Sequence, residues 1–363
     1  MAYEQLHEHL SRAAAENSKG NYAEAERLTR EVLTFHLLGK ELRFRALSIL
    51  SNSLWFRGRA EEALPIAEEV LLLALQPDVK QQDLADTLHM IGRLYDSISE
   101  YPRALEYLEK SLAIEEELGR KLHAANVLMN IGIVYENQSD YPQALEYYSK
   151  ALAVAEVLGL KQNTAQMLGN IGNIYNSISD YPRALEYFHK ALSISEEFGM
   201  RNITARTLSN IGLVYYYLSD YHQALDYHRQ SLALNESLGR RDGIAGNLGN
   251  IGIVYDCLQE YEQALEFYQQ SLTIAKELGR KNSIASTLGN IGIVYTNILD
   301  YPQALEYTLQ ALAINEELGR KEGIANNLLT IGSVYKIKLF DGYTIEKAEE
   351  YLLKAMTINE EIG

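Results

Sequence analysis

Eight residues, LGNIGIVY, occur twice without change, at Leu248–Tyr255 and Leu288–Tyr295. Close variants begin at Leu128 (LMNIGIVY), Leu168 (LGNIGNIY) and Leu208 (LSNIGLVY), and weaker ones at Leu88 (LHMIGRLY) and Leu328 (LLTIGSVY). Each copy follows the one before by forty residues. A fixed period of that length prescribes a stack of like units, each covering its apolar face with the next, and it removes the need for one large core. The 363 residues are 47 % hydrophobic, which is enough to fill the joints of such a stack.

Each unit carries two helical patterns. In the one that begins near Lys121, Ala125, Leu128, Ile131 and Tyr135 are spaced by three, three and four residues and share one face of a helix. Gly132 lies inside that pattern at a cost of about 1 kcal/mol relative to Ala, so a second helix is expected to press against it. Asp140 and Pro142 then open the next helix, the first as a cap and the second in its first turn. Ala144, Tyr148, Ala151 and Ala155 form the stripe that this second helix buries, and Gly159 ends it. The junction Leu-Gly-Arg-Lys, at Leu118, Leu278 and Leu318, places a basic pair at the negative end of a helix dipole.

The alanine of the second helix recurs at Ala25, Ala63, Ala104, Ala144, Ala184, Ala224, Ala264, Ala304 and Ala348, giving nine helical pairs. Residues 1–78 hold degenerate units, because Ala13 and Ser51 replace the glycine. Residues 79–320 hold six regular ones. Residues 321–363 hold an atypical last unit with extra residues around Phe340–Tyr343. Terminal units of a stack are expected to depart from the pattern.

Several classes of function lose support. A formal charge of −16 argues against nucleic acid or an anionic membrane as the main partner and favours a neutral or basic one. The longest apolar run, Val70–Leu75, is far too short to span a bilayer. One cysteine, Cys257, and an opening segment without a secretory signal lead to the expectation of a cytoplasmic protein. His7 and His9 are two apart and point to different faces of a helix, so no metal site is expected. Glu115–Glu117 and Glu316–Glu317 are expected on solvated helix ends. No nucleophile has an assignable base, so neither catalysis nor a cofactor is expected.

Gly132, the tyrosine three residues on, and the alanines twelve and nineteen residues beyond the glycine resemble the signature of the tetratricopeptide repeat. The six extra residues per unit are similar to the long-repeat branch found in kinesin light chains, Leu-Gly-Asn-repeat G-protein regulators and bacterial signalling proteins. The resemblance implies a single all-α, right-handed superhelical solenoid whose first helices line a concave side. It also implies an activity of binding other proteins.

On the first helix, Asn130 points away from the buried stripe, and Asn170, Asn210, Asn250 and Asn290 hold the same position. Asparagine is poor in helix interiors, yet its amide offers a donor and an acceptor to any peptide backbone. The resemblance implies that role, since related long-repeat proteins clamp peptide backbone with asparagines placed this way. Inter-helix bonding of each amide, or simple copying of the repeat, is the alternative. Adjacent first helices ~10 Å apart would spread five asparagines over ~40 Å, or about a dozen residues of extended peptide. The preceding residues are Met129, Gly169, Ser209, Gly249 and Gly289, and the small side chains among them are expected to leave open space above the helix. Glu136, Asn173, Arg206, Tyr216, Tyr217, Asp256 and Asn297 differ between units and are candidates for reading a ligand's side chains.

The reading that follows is a non-catalytic scaffold holding an extended partner segment. A second reading makes the chain the regulatory arm of a larger signalling enzyme, because bacterial proteins of this look continue into cyclase or histidine-kinase domains. A third is self-assembly through the apolar face of the last helix.

Overall fold

A computed structural model describes residues 3–35, 38–337 and 344–362. Among these the chain is all-helical. The first helices of the repeats are α1 (Tyr3–Ser18), α3 (Lys40–Phe56), α5 (Gln81–Ser97), α7 (Lys121–Asn137), α9 (Lys161–Ser177), α11 (Arg201–Tyr217), α13 (Arg241–Cys257), α15 (Lys281–Asn297) and α17 (Lys321–Tyr335). Alternating with them are α2 (Tyr22–Leu33), α4 (Ala60–Ala74), α6 (Tyr101–Glu117), α8 (Tyr141–Val157), α10 (Tyr181–Glu197), α12 (Tyr221–Ser237), α14 (Tyr261–Glu277), α16 (Tyr301–Glu317) and α18 (Ile345–Ile362). The insertion expected around Phe340–Tyr343 lies outside the described residues.

The helices group into two compact parts, Met1–Ile174 and Tyr175–Gly363, with the boundary inside α9. In the first part α1–α2, α3–α4, α5–α6 and α7–α8 form hairpins, and in the second part α11–α12, α13–α14, α15–α16 and α17–α18 do so. Within each part a second helix also packs on the first helix of the next hairpin. Successive first helices touch directly, as α3 does with α5 and α13 with α15. Among the described residues successive second helices make no comparable contact. In each part the first helices therefore lie on the tighter side of the packing.

Turn chemistry explains the regularity. Asp140, Asp180, Asp220 and Asp300 cap the second helices, each carboxylate accepting the N–H three residues on at 3.2–3.3 Å. From α5 to α16 the turn between two helices of a hairpin is closed by a left-handed residue that is not glycine, Ser99, Ser139, Ser179, Ser219, Gln259 and Leu299 having φ between 60° and 66°, whereas Gly20 (φ 86°) and Gly58 (φ 73°) close the first two hairpins. Junctions between hairpins use glycine for the same conformation, as at Gly159 (φ 67°) and Gly239 (φ 65°).

The close approach expected at the helical glycine is present. A Cβ on Gly132 would stand 2.7 Å from the Tyr148 ring, and one on Gly252 would stand 2.7 Å from Tyr268. The recurrent tyrosines stack within hairpins: Tyr135 on Tyr147 at 5.5 Å, Tyr215 on Tyr227 at 5.4 Å and Tyr295 on Tyr307 at 5.4 Å between ring centroids. Ala144, Tyr148, Ala151 and Ala155 are all buried.

Two expectations are corrected. Glu115 is buried rather than solvated, because α6 meets α7 at that position and Arg120 reaches back to its carboxylate at 3.2 Å; Glu117, Glu316 and Glu317 are exposed as expected. The basic residues of the junctions also do more than face a helix end. Arg120 pairs with Asp86 at 3.0 Å and Arg280 with Asp242 at 2.9 Å, and Lys321 pairs with Glu361 at 3.0 Å, so their side chains tie one repeat to another.

The junctions are not all alike. Between α12 and α13 the Asn235 amide donates to the Asn247 carbonyl oxygen at 2.9 Å, and between α16 and α17 Asn315 donates to Asn327 at 2.8 Å. Gly243 and Gly323 make room for these amides, since a Cβ on either would stand 2.5–2.6 Å from the asparagine. Both pairs are buried.

Candidate functional site

The residues singled out by sequence all stand on first helices. Asn130 and Asn170 belong to the first part, and Asn210, Asn250 and Asn290 to the second. All five are half-buried. In the first part the Asn130 amide lies 2.5 Å from the His89 ring nitrogen Nε2 of the preceding first helix, so it serves an inter-helix contact. In the second part Asn250 lines a recess of about 260 Å³ between α13 and α15, with Gly246, Gly249, Ile253, Ser286 and Asn290. Asn290 also lines a recess of about 400 Å³ between α15 and α17, with Gly289, Ile293, Asn326 and Thr330. Among the described residues neither the Asn250 nor the Asn290 amide has a hydrogen-bond partner. The two recesses share Asn290 and Ser286 and so adjoin one another.

The small residue before an asparagine opens space at Gly169, where a Cβ would meet nothing within 4 Å, but not at every repeat. Ser209 accepts a hydrogen bond from Asn247 of the next first helix at 3.2 Å, and a Cβ on Gly289 would stand 3.2 Å from Asn327. One residue of helix is a rotation of about 100°, which turns this position toward the neighbouring helix. Smallness there admits the neighbour, and the recess opens at its edge.

Toward the ends of these helices the variable residues meet one another. Asn297 donates to Asp256 at 3.2 Å, and burial raises the Asp256 carboxyl above its usual range. Tyr216 and Tyr217 lie with ring centroids 5.4 Å apart, and Tyr217 stacks on Tyr181. Burial, with the nearby Cys257, pushes the Tyr216 phenol up to about 12. In the first part Glu136 accepts a hydrogen bond from Tyr148 of its own hairpin, and burial raises its pKa. Asn173 is not without a partner. Arg206 is exposed. No group of acidic, histidine or cysteine side chains that could hold a metal ion is present among the described residues. No described helix is long and apolar enough to cross a membrane.

Sequence reasoning passed over Arg93, His89 and Trp55. The signal was available, because Arg93 holds a position occupied elsewhere by Ile133, Asn173, Leu213, Ile253 and Ile293.

Hairpins of two helices, repeated at a fixed period and joined through glycine contacts, define a helical repeat protein. Residues 42–117, 123–197 and 203–277 match the profile of the tetratricopeptide repeat, and the chain belongs to that family. No curated protein matches the sequence. Among solved structures, the apo quorum sensor NprR from B. thuringiensis is similar at 18 % identity and a TM-score of 0.68, with 98 % of this chain and 99 % of that one covered. NprR in complex with its cognate peptide NprX is similar at 19 % identity and a TM-score of 0.58, over 97 % and 99 %. A Rap protein complexed with competence and sporulation factor is similar at 15 % and 0.66, over 99 % and 98 %. A STAND signal-transduction ATPase with a tetratricopeptide repeat sensor, from Pyrococcus horikoshii, is similar at 13 % and 0.65, over 94 % of this chain and 53 % of that one. At these identities the likeness is one of fold.

Proposed function

We propose that this chain is a non-catalytic binding scaffold of a reducing compartment such as the cytoplasm, which holds an extended peptide segment against its first helices. The observation that carries this reading is the pair of adjoining recesses at Asn250 and Asn290, whose amides have no partner among the described residues. An amide with no partner in the chain keeps its donor and its acceptor available within the recess, and a passing peptide backbone offers the matching acceptor and donor. Asn210, and in the first part Asn130 and Asn170, stand in the same register, while Asp256, Asn297, Tyr216 and Tyr217 are placed to read side chains. The excess of negative charge favours a neutral or basic segment. NprR with NprX and Rap with competence and sporulation factor support the reading by fold alone.

The test is retention of a randomised pool of ten-residue peptides by the immobilised chain. Replacing Asn250 and Asn290 together by Ala is expected to weaken retention about thirtyfold, on the order of 1 kcal/mol for each amide. Equal retention by the double variant, with its helical circular dichroism intact, would remove the amides from the site. A wild-type chain that retains no peptide would end the peptide reading. The alternative of a sensor arm in a larger signalling protein finds support in the STAND ATPase with its tetratricopeptide repeat sensor. It is compatible with the same binding face.

A further inference from the structure

The first part holds a cation without an ionic partner among the described residues. Arg93 on α5 is half-buried in a recess of about 270 Å³ between α3 and α5, lined also by Phe44, Ser48, Asn52, Asp83, Asp86 and His89. Its guanidinium carbon lies 3.6 Å from the centroid of the Trp55 ring. The indole is itself held, because Trp55 Nε1 donates to Ser97 Oγ at 2.8 Å while the Ser97 hydroxyl donates to the Arg93 carbonyl at 2.9 Å. Among the described residues the Arg93 guanidinium makes neither an ion pair nor a hydrogen bond.

The neighbouring charges do not supply what is missing. Asp83 and Asp86 are on the same helix, ten and seven residues earlier, which places them roughly 15 Å and 10 Å away along its axis. Asp86 is moreover paired with Arg120 at 3.0 Å. His89 is occupied with Asn130. Its burial and the charge of Arg93 lower its pKa to about 3, so at neutral pH it adds no charge. Burial alone lowers Arg93 itself to about 10, so it keeps its proton at neutral pH. In a chain of net charge −16, a stacked and unpaired arginine on the ligand-facing side is costly unless something from outside completes it.

We infer that Arg93, backed by Trp55, is a subsite for one carboxylate of a bound peptide, either its C-terminus or an acidic side chain. With one face against the indole, the guanidinium keeps its N–H edge free for the two parallel bonds that a carboxylate accepts. The subsite rests on the peptide reading only for the nature of its ligand, and it lies in the other compact part from Asn250 and Asn290.

Trp55 is the one tryptophan of the chain, so its fluorescence reports this recess alone. Three probes are titrated into the full chain: N-acetyl-Ala-Ala-Ala with a free C-terminus, its amide, and N-acetyl-Ala-Glu-Ala amide. At least one carboxylate peptide is expected to saturate the emission change at ~tenfold lower concentration than the amide, and the tighter of the two identifies the source of the carboxylate. Arg93→Gln is expected to erase the preference, and Arg93→Lys to keep part of it. The inference is overturned if the amide binds as well as both acids, if no probe moves the emission, or if a folded Arg93→Gln keeps the preference. Should Arg93→Gln fail to fold, Arg93→Lys and salt decide: the variant, and a rise from about 0.05 to 0.5 M salt, must each weaken the acids and spare the amide, and failure of either overturns it. These outcomes leave the peptide-pool result at Asn250 and Asn290 to be judged separately.

Discussion

His228 occupies the place that Tyr148, Phe188 and Tyr268 fill in other hairpins, facing the missing side chain of Gly212, where a Cβ would stand 2.9 Å from its ring. It is buried, and among the described residues its Nδ1 has no hydrogen-bond partner. Burial disfavours the imidazolium and lowers the pKa to about 4, against an ordinary value of 6.5. Between those two values the unfolded chain takes up a proton that the folded chain refuses, so stability falls as the pH drops from 6.5 toward 4. From pH 7 to pH 5 the loss through this residue is about 2 kcal/mol. Urea unfolding at the two pH values should show a smaller fall for His228→Phe, since Phe188 proves that a phenyl ring suits the position. His89 acts in the same sense but is present in both proteins and cancels. Equal falls would mean that His228 is better solvated than its burial indicates. The glycine opposite this ring was legible in the sequence because glycine in a helix needs a reason. Arg93 and Glu115 were not, because whether a charge is covered depends on a helix from another hairpin.

Helix ends show the same division. The capping aspartates, the prolines of the first turn and the glycines at the junctions could all be placed from residue type, because each supplies something the backbone lacks there. The left-handed residues inside hairpins could not, since serine, glutamine and leucine do not announce that conformation. Leu299, at φ 66° and 68 % exposed, gives up almost no buried surface for its strain. Leu299→Gly relieves about 1–2 kcal/mol of steric cost, and the looser unfolded chain returns part of it. A net gain of about 0.5–1 kcal/mol in thermal unfolding is the expected result. An unchanged or lower melting temperature would show that the leucine side chain stabilises the turn in some other way. The asparagine register was equally plain in the sequence, but which amides are left open was not. Asn130 spends its amide on His89 because a histidine happens to stand on the preceding first helix. No single-repeat pattern carries that information.

At the scale of the molecule, the described contacts between hairpins join residues of neighbouring repeats, as the forty-residue period requires. Such a chain should tolerate the loss of a unit where the new junction matches chemically. Removing residues 241–280 joins Arg240 to Lys281 and sets Asn235 against Ser283 and Thr287 in place of Gly243 and Asn247. The buried amide then lacks its partner and its space. Adding Ser283→Gly and Thr287→Asn to the deletion should restore about 1–3 kcal/mol in urea unfolding. No difference between the two shortened chains would show that Asn235 turns away to solvent.

The Asn235–Asn247 and Asn315–Asn327 pairs thus act as keyed joints in a series of otherwise similar links. Two identical eight-residue stretches invite a gene to slip by one unit during copying. A slip between those two copies leaves both joints whole, since Asn235, Gly243 and Asn247 precede Leu248 while Asn315, Gly323 and Asn327 follow Tyr295. Only a break elsewhere, such as the removal of residues 241–280, parts an amide from its mate and would yield a chain that folds less well.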